Sequence, residues 1–213
     1  MSTKTEFQIE RIAFFSDAVF AIATTLMVLE IHAPEFAAGT SNLERIVESL
    51  HLVPEVIAVL GSFFLIGIYW RRHHQLFGLL KEYDGRLITL NLIFLASIIF
   101  LPLSTGFVSK NWRSFGIGNQ MFLPFVVYGL NYLVSATTSF LLFRHALDSR
   151  KGLFEADDTI DPQKLKLEVM FPIFVFLVVT VVSCFSGFLA LPCFALFALE
   201  PVFIKRLLGN RNG

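Results

Sequence analysis

The side chains best suited to chemistry are polar and ionisable ones beside long apolar runs. Ser16 and Asp17 stand before the charge-free run 18–29, and His73 and His74 follow the charge-free run 56–70. A carboxylate and two imidazoles at similar depth can form a hydrogen-bond network, sense protons because histidine titrates near neutrality, or bind a metal ion. Two adjacent histidines and one carboxylate are few ligands for a metal, so the sequence favours a structural network that joins two elements.

The composition indicates which kind of element must position these side chains. Of 213 residues, 55% are hydrophobic and 16% are charged, whereas soluble domains average about 25% charged residues. These values exclude a disordered chain and disfavour a soluble globular protein. The formal net charge is +0, which gives no reason to expect a nucleic-acid partner. We interpret the chain as an integral membrane protein.

The charge-free runs predict an all-α bundle of transmembrane helices in a single domain over 1–213. Each span needs about 20 residues, and the runs lack the alternation over about ten residues that marks barrel strands. The last run, 169–199, is too long for one crossing, and the turn-forming sequence at 184–187 divides it. The six predicted spans are roughly 12–31, 53–71, 86–108, 119–143, 165–184 and 188–206.

Lys and Arg are unevenly distributed between the two sides of this bundle. Fourteen lie in the termini and beside or within the loops after spans 2 and 4, and three lie on the opposite side: Arg45, Lys110 and Arg113. Because cytoplasmic loops carry the excess of positive charge, both termini are predicted to be cytoplasmic. This orientation requires an even number of spans and agrees with six.

Span 1 is the least lipid-like of the six. Hydroxyl and carboxyl groups interrupt it among small residues, namely at Ser16, Asp17, Thr24 and Thr25. At about 100° per residue, its side chains form two neighbouring stripes. The first stripe is Ala18, Ile22, Thr25 and Leu29, with Leu26 beside it; the second is Asp17, Ala21, Thr24 and Val28. We expect one stripe to contact the other helices of the subunit and the other to be free to face a symmetry axis.

Three further patterns concern the connections and the cysteines. Residues 42–50 place apolar side chains on one helical face, which predicts an interfacial helix or an extension of span 2, bent or restarted at Pro54. The pair Asp161-Pro162 is typical of an N-cap and first helical turn, and predicts the start of the fifth helix. Cys184 and Cys193 lack metal-site spacing, so we interpret them as packing residues.

Five sequence blocks in order resemble the transmembrane protein 175 family. The first-helix block is Arg11-x-x-x-Phe15-Ser16-Asp17, followed by Ala-Val-Phe-Ala-Ile and by Val28-Leu29-Glu30-Ile31. The second-helix block is Trp70-x-x-His73-His74-x-x-Phe77. The other blocks are Asn91-Leu92 through Phe100-Leu101-Pro102, then Tyr128-x-x-Asn131, and Asp161-Pro162. The resemblance covers almost the whole chain, whereas Arg71, Arg72 and Gly187 are atypical of the pattern.

The resemblance implies a potassium-permeable cation channel. A single six-helix set is similar to the prokaryotic members, which assemble as homotetramers, so a multi-pass protein of a prokaryotic plasma (inner) membrane is expected. Monovalent cations would be the permeant species, surrounded by protein and membrane lipid, with no cofactor, no resident metal and no enzymatic activity. The pore would be lined by the first helix, with its constriction at Ile22 and with Thr25, Leu26 and Leu29 contributing.

The resemblance also implies which polar side chains hold the helices together. This helix-packing network maps to Arg11, Phe15, Ser16, Asp17, Trp70, His73, His74, Asn91 and Asn131. Glu30 would lie at the extracellular pore mouth, where it either raises the local cation concentration or caps the helix end; we favour the mouth role.

Physical arguments set the expected selectivity and the alternatives. The sequence contains no Thr-Val-Gly-Tyr-Gly filter, so weak to moderate potassium selectivity is expected from a hydroxyl ring at Thr25 or from partial dehydration at Ile22. A threonine in a membrane helix also commonly bonds the carbonyl of the preceding turn.

A secondary transporter for a small cation or solute is the alternative, although no internal repeat of span 1 is visible. An intramembrane enzyme would depend on Asp17 and the two histidines, and nothing supplies it with a substrate pocket.

Overall fold

A computed structural model of the chain describes residues 4–50, 52–111, 122–155 and 161–209. Within these ranges the regular structure is helical, and the β-type pairing consists of an isolated bridge between Leu80 and Phe154. The α-helices are α1 Lys4–Leu26, α2 Asn42–Leu50, α3 Leu52–Gly78, α4 Gly85–Ile99, α5 Leu101–Asn111, α6 Phe122–Ala146, α7 Pro162–Ser183, α8 Gly187–Ala190 and α9 Glu200–Gly209. Stretches of 3-10 helix extend α1 through Met27–Glu30, form Ser149–Lys151, and join α8 to α9 through Leu191–Leu199.

Five segments of the described chain are long and apolar enough to cross a membrane. They are Lys4–Glu30, Asn42–Gly78, Gly85–Asn111, Leu123–Ala146 and Pro162–Ser183. These segments coincide with predicted spans 1 to 5, which confirms the expectation of an all-α, multi-pass membrane protein. The predicted start of span 4 at 119 and the loop residue Arg113 lie outside the described residues.

The segment predicted as span 6 is helical but is not one α-helix. The chain turns at residues 184–186, as expected, and α8, the 3-10 stretch and α9 that follow all contact α7. Two prolines interrupt regular α-helical bonding, Pro192 early in the 3-10 stretch and Pro201 early in α9, because proline has no backbone N–H to donate. A single regular α-helix over 188–206 is therefore not formed, and the sixth span itself stays a prediction.

Local capping explains where several helices begin. Asp161 accepts a hydrogen bond from the Gln163 N–H at 2.8 Å, with Pro162 in the first turn of α7, which confirms the predicted start of this helix. Helix α2 begins with a capping box, in which the Ser41 N–H donates to Glu44 Oε2 at 2.8 Å and the Glu44 N–H donates to Ser41 Oγ at 3.3 Å. The amphipathic helix predicted at 42–50 is thus confirmed, and its apolar side chains are exposed.

Asp84 caps α4 and also joins it to α6. Its carboxylate accepts a hydrogen bond from the Leu87 N–H at 2.7 Å and lies 2.9 Å from Nε2 of the buried His145. Burial raises the pKa of Asp84, but these two hydrogen bonds and the nearby positive charge of Lys151 outweigh burial. The pKa of Asp84 therefore lies below its ordinary value, and the ionised carboxylate is the form that the fold stabilises.

The core lies where α6 packs against α7 and α4. Tyr132 is fully buried and stacks on Phe176, with ring centroids 4.7 Å apart. Gly129 allows α6 to approach α7 closely, because a Cβ at this position would lie 2.5 Å from Thr180 Oγ1 and 3.2 Å from Thr180 Cα. A small residue at a helix crossing is a common solution for packing in membranes. Helix α4 packs on α6, and α1 packs in turn on α4 and α3.

Candidate functional site

Helix α1 packs against its own chain through a stripe that differs from both predicted stripes. The buried side chains are Ile9, Ser16, Phe20, Ala23 and Met27. All four members of the predicted stripe Ala18, Ile22, Thr25 and Leu29 are exposed. In the second predicted stripe, Asp17 and Thr24 are half-buried, and Ala21 and Val28 are exposed. The bulky Phe20 and Met27 fill the interior, so the packed face is rotated away from Asp17.

Of the five candidate spans in the described chain, α1 has the smallest share of buried residues. In the apolar window of Lys4–Glu30, 22% of the residues are buried, against 50% for Gly85–Asn111. Ile22 is 59% exposed, Leu26 is 42% exposed and Leu29 is 67% exposed. One face of α1, which carries the proposed constriction residues, is therefore available to another molecule.

A directed chain of hydrogen bonds joins α3, α4 and α1 in the interior. The Ser16 hydroxyl donates to the Ile12 carbonyl at 2.8 Å, so Ser16 Oγ acts as the acceptor for Asn91 Nδ2 at 3.0 Å. Asn91 then presents its carbonyl oxygen to His73 Nε2, 2.8 Å away. Because Asn91 Oδ1 can only accept, this contact requires the proton of His73 on Nε2. Ser16, His73 and Asn91 are all buried, so the network locks three spans together.

Aromatic rings surround the imidazole of His73. Phe77 stacks on it with ring centroids 4.3 Å apart, and Phe20 of α1 meets it edge-on at 5.5 Å. Phe94 of α4 lies 6.0 Å away on a nearly parallel plane. Among the described residues, no three His, Cys, Asp or Glu side chains lie close enough together to hold a metal ion. The geometry of this histidine is that of a packed, hydrogen-bonded group.

Asp17 makes a separate link between α1 and α3. It accepts a hydrogen bond from Trp70 Nε1 at 2.8 Å, and the His74 ring stacks on the Trp70 indole with ring centroids 5.7 Å apart. The expected hydrogen bond between Asp17 and a histidine is thus replaced by one with tryptophan, because His73 turns inward to Asn91. Sequence spacing places these groups at one depth but does not determine which side chain reaches the carboxylate.

The remaining residues of the expected network lie apart from these two links. Arg11 and Phe15 are exposed, and the Arg11 guanidinium lies 6.0 Å from the Phe7 ring centroid. Asn131 of α6 donates to Ser104 Oγ of α5 at 3.1 Å. The structure therefore brings together Ser16, His73 and Asn91, and separately Asp17, Trp70 and His74, while Asn131 belongs to another contact.

Sequence reasoning missed a second buried polar cluster around Ser62 of α3. The Thr105 hydroxyl donates to Ser62 Oγ at 2.9 Å, and Ser62 Oγ lies 3.2 Å from the Tyr128 hydroxyl. The Tyr132 hydroxyl donates to the Ser62 carbonyl at 3.5 Å. The available signal was the presence of hydroxyl residues in otherwise apolar spans, but hydroxyl groups often bond only their own helix, so the signal is weak.

The C-terminal end of α1 is attached to α5. Glu30 Oε2 forms an ion pair with Lys110 Nζ at 3.2 Å, and the Glu30 carboxylate lies against Gly106, where a Cβ would overlap it. The Thr25 hydroxyl, one turn before Leu29, bonds the carbonyls of Ala21 at 3.0 Å and Ile22 at 2.9 Å. The hydroxyl proton of Thr25 thus points back along the helix, and its oxygen is exposed.

Comparisons with known proteins agree with this arrangement of helices. A family model described as "Endosomal/lysosomal potassium channel TMEM175" matches residues 11–102. A protein named potassium channel from Chamaesiphon minutus is 31% identical over 201 residues, which is 89% of this chain and 93% of that protein. A potassium channel from a Chryseobacterium species is 34% identical over 128 residues, and the match spans 59% of this chain and 58% of that protein.

A solved structure extends the similarity to three dimensions. The crystal structure of a lysosomal potassium-selective channel TMEM175 homologue from Chamaesiphon minutus aligns with a TM-score of 0.75 at 28% sequence identity. The alignment covers 92% of this chain and 98% of that chain. The similarity therefore extends over the whole arrangement of spans and beyond the segment that the family model matches.

Proposed function

We propose that this chain, which belongs to the TMEM175 family, is a cation channel that conducts potassium passively through a pore lined by α1. The observation that carries the proposal is the exposed face of α1. This face has small and hydroxyl side chains at Ala18, Ala21 and Thr25, which match lipid tails poorly, and it is the face that the chain itself leaves uncovered. Four copies of the chain around an axis would cover it and enclose a path for ions.

The proposed constriction is a ring of Ile22 side chains. A ring of four branched hydrocarbon side chains dewets easily and can stop ions without a plug. Leu26 and Leu29 follow on the same exposed side of α1, so the apolar section would continue toward the extracellular end. Partial removal of water at this ring penalises sodium more than potassium because sodium holds its water more tightly.

Thr25 is proposed as a second source of selectivity. Because its hydroxyl proton is used by the carbonyls of Ala21 and Ile22, its oxygen lone pairs are free to face a cation. Glu30 is proposed at the extracellular mouth, where Lys110 partly offsets its charge and the ion pair anchors the outer end of α1. Together these features support weak to moderate selectivity for potassium.

The polar links inside the subunit are proposed to hold α1 at a fixed rotation. The Ser16–Asn91–His73 chain and the Asp17–Trp70 bond lie on the sides of α1 that do not carry Ile22 and Thr25. They would therefore orient the pore-lining face without contacting ions. This role agrees with their position among aromatic side chains and with the absence of a metal cluster among the described residues.

We further propose six crossings in one domain, with both termini in the cytoplasm of a prokaryotic cell. The segment formed by α8, the 3-10 stretch and α9 would be the sixth crossing, since all three contact α7. The excess of Lys and Arg on one side supports this orientation. Native mass spectrometry of the purified protein tests the assembly, with a mass about four times 24.1 kDa expected for the homotetramer.

The experiment that tests the function is a measurement of reversal potential in a planar bilayer under opposed potassium and sodium gradients. Discrete single-channel currents that reverse near the potassium equilibrium potential are expected. A parallel pH gradient measures any proton current through the same pore. Absence of unitary current, together with saturable or exchange-coupled flux in liposomes, would refute the channel and favour the secondary transporter.

A further inference from the structure

A basic cavity lies between α3, α7 and α9 at the end of the bundle proposed to face the cytoplasm. Its volume is about 690 Å³. Four cationic side chains and two carboxylates line it, namely Arg71, Arg72, Lys164, Lys205, Glu168 and Glu200.

The charges around the cavity are only partly balanced. Arg72 is buried and forms an ion pair with Glu200, and Lys164 Nζ lies 4.0 Å from a Glu168 carboxylate oxygen. Among the described residues, Arg71 and Lys205 form no ion pair. Both side chains are exposed, on different helices, at the same opening. The cavity therefore has two surplus positive charges that converge from α3 and α9.

One of the side chains that line the cavity, Arg72, has a buried donor without an acceptor among the described residues. The guanidinium of Arg72 donates to Glu200 through Nη2, whereas Arg72 Nε is buried and has no acceptor among the described residues. A buried donor without an acceptor is energetically unfavourable. A site with surplus positive charge is suited to an anion, and guanidinium groups in particular suit phosphate geometry.

The surroundings indicate that the anion belongs to a lipid. Ile68, Ile204 and Leu208 line the same cavity as the cations, so an apolar surface adjoins the charged one. Arg71 follows the exposed Trp70 near the end of span 2, a position typical of the membrane interface. Basic pockets between transmembrane helices on the cytoplasmic side are known to suit anionic head groups. Free phosphate would use the charges but would leave the apolar wall without a partner.

We propose that this cavity binds the head group of an anionic phospholipid of the cytoplasmic leaflet. Arg71 and Lys205 contact its phosphate, and the first part of an acyl chain lies along Ile68 and Ile204. The proposal requires a membrane-embedded chain in this orientation but does not depend on ion conduction. A channel that failed to conduct would leave it intact.

Native mass spectrometry of the detergent-solubilised protein tests the site, with phosphatidylglycerol and phosphatidylcholine as probes. The wild-type protein is expected to retain phosphatidylglycerol in preference to phosphatidylcholine. Arg71→Gln and Lys205→Gln are each expected to raise the Kd for phosphatidylglycerol about fivefold, and the double variant about 25-fold. Arg206→Gln is the matched control, because Arg206 is the next residue on α9, carries the same charge and does not line the cavity. Its Kd is expected to stay at the wild-type value.

Three results would overturn the proposal. Equal retention of the two lipids by the wild-type protein would show that head-group charge is not recognised, and this comparison needs no variant. An unchanged Kd in the double variant, with normal elution in size-exclusion chromatography, would remove these residues from the site. Displacement of phosphatidylglycerol by an equal concentration of inorganic phosphate would identify free phosphate as the ligand.

Discussion

Asn91→Leu is expected to destabilise the fold, because Asn91 links three spans through its one amide group. The amide donates to Ser16 of α1 at 3.0 Å and accepts from His73 of α3 at 2.8 Å, while its own backbone belongs to α4. Leucine has a similar volume and would fill the space without replacing either bond. The variant therefore tests the polar network with little change in packing.

The expected loss of stability depends on which hydrogen-bond partner of Asn91 is left without a replacement. Ser16 keeps its bond to the Ile12 carbonyl, so it loses only an acceptor role, which in membranes is worth about 0.6 kcal/mol on average. His73 is 1% exposed and would keep a buried Nε2–H without an acceptor, at a cost of about 1–3 kcal/mol. The free energy of unfolding should fall by about 1.6–3.6 kcal/mol in total.

Thermal unfolding in detergent, followed by the loss of the folded peak in size-exclusion chromatography, measures this effect. The control is Thr89→Val on the same helix, which removes an exposed, local hydrogen bond of 2.9 Å to the Gly85 carbonyl and should change stability little. The double variant His73→Phe with Asn91→Leu should recover most of the loss, because both polar partners are replaced by apolar groups. An Asn91→Leu protein as stable as wild type, or a double variant less stable than Asn91→Leu alone, would refute the reasoning.

Three further variants probe other contacts. Gly129→Ala should destabilise the chain by about 1–3 kcal/mol, since the new Cβ meets Thr180; an unchanged melting temperature would show that α6 and α7 separate at no cost. Asp84→Asn should lower the melting temperature at pH 7. The pKa of Asp84 is lower in the folded state than its ordinary value of about 4, so its ionised carboxylate stabilises the fold above that pH and loses this effect as the pH falls below it. The difference in melting temperature between Asp84→Asn and wild type should therefore become smaller at low pH. Trp70→Phe should weaken the link to Asp17, seen as a lower melting temperature that Asp17→Asn does not lower further.

Patterns that depend on neighbouring residues could be predicted from the sequence. The start of α7 at Asp161-Pro162, the amphipathic helix over 42–50 and the turn after Ser183 each depend on a few adjacent residues and on properties of single side chains. The expectation of one regular α-helix over 188–206 failed, although the cause of the interruption is also local. Pro192 and Pro201 lie in a strongly apolar run, so the hydropathy of the segment is that of a span. Hydropathy does not register that proline has no backbone N–H to donate.

Contacts between helices could be predicted only in part. The sequence identifies Ser16, Asp17, His73 and Asn91 as polar groups within apolar spans, but their pairing depends on the rotation of each helix. That rotation is set by the fit of large side chains such as Phe20 against neighbouring helices, which a periodicity argument treats as equal to any other apolar residue. For the same reason the packed stripe of α1 was not one of the two that were expected.

The claim that ions pass along α1 is tested most directly by single-channel conductance. The measurement compares Ile22→Ala with wild type and with Val181→Ala. Val181 is also an exposed aliphatic residue of a span, but it belongs to α7 and has no place in the proposed pore. The account predicts a larger conductance and a reversal potential shifted away from the potassium equilibrium potential for Ile22→Ala, with wild-type values for Val181→Ala. Wild-type conductance and selectivity in Ile22→Ala would contradict it.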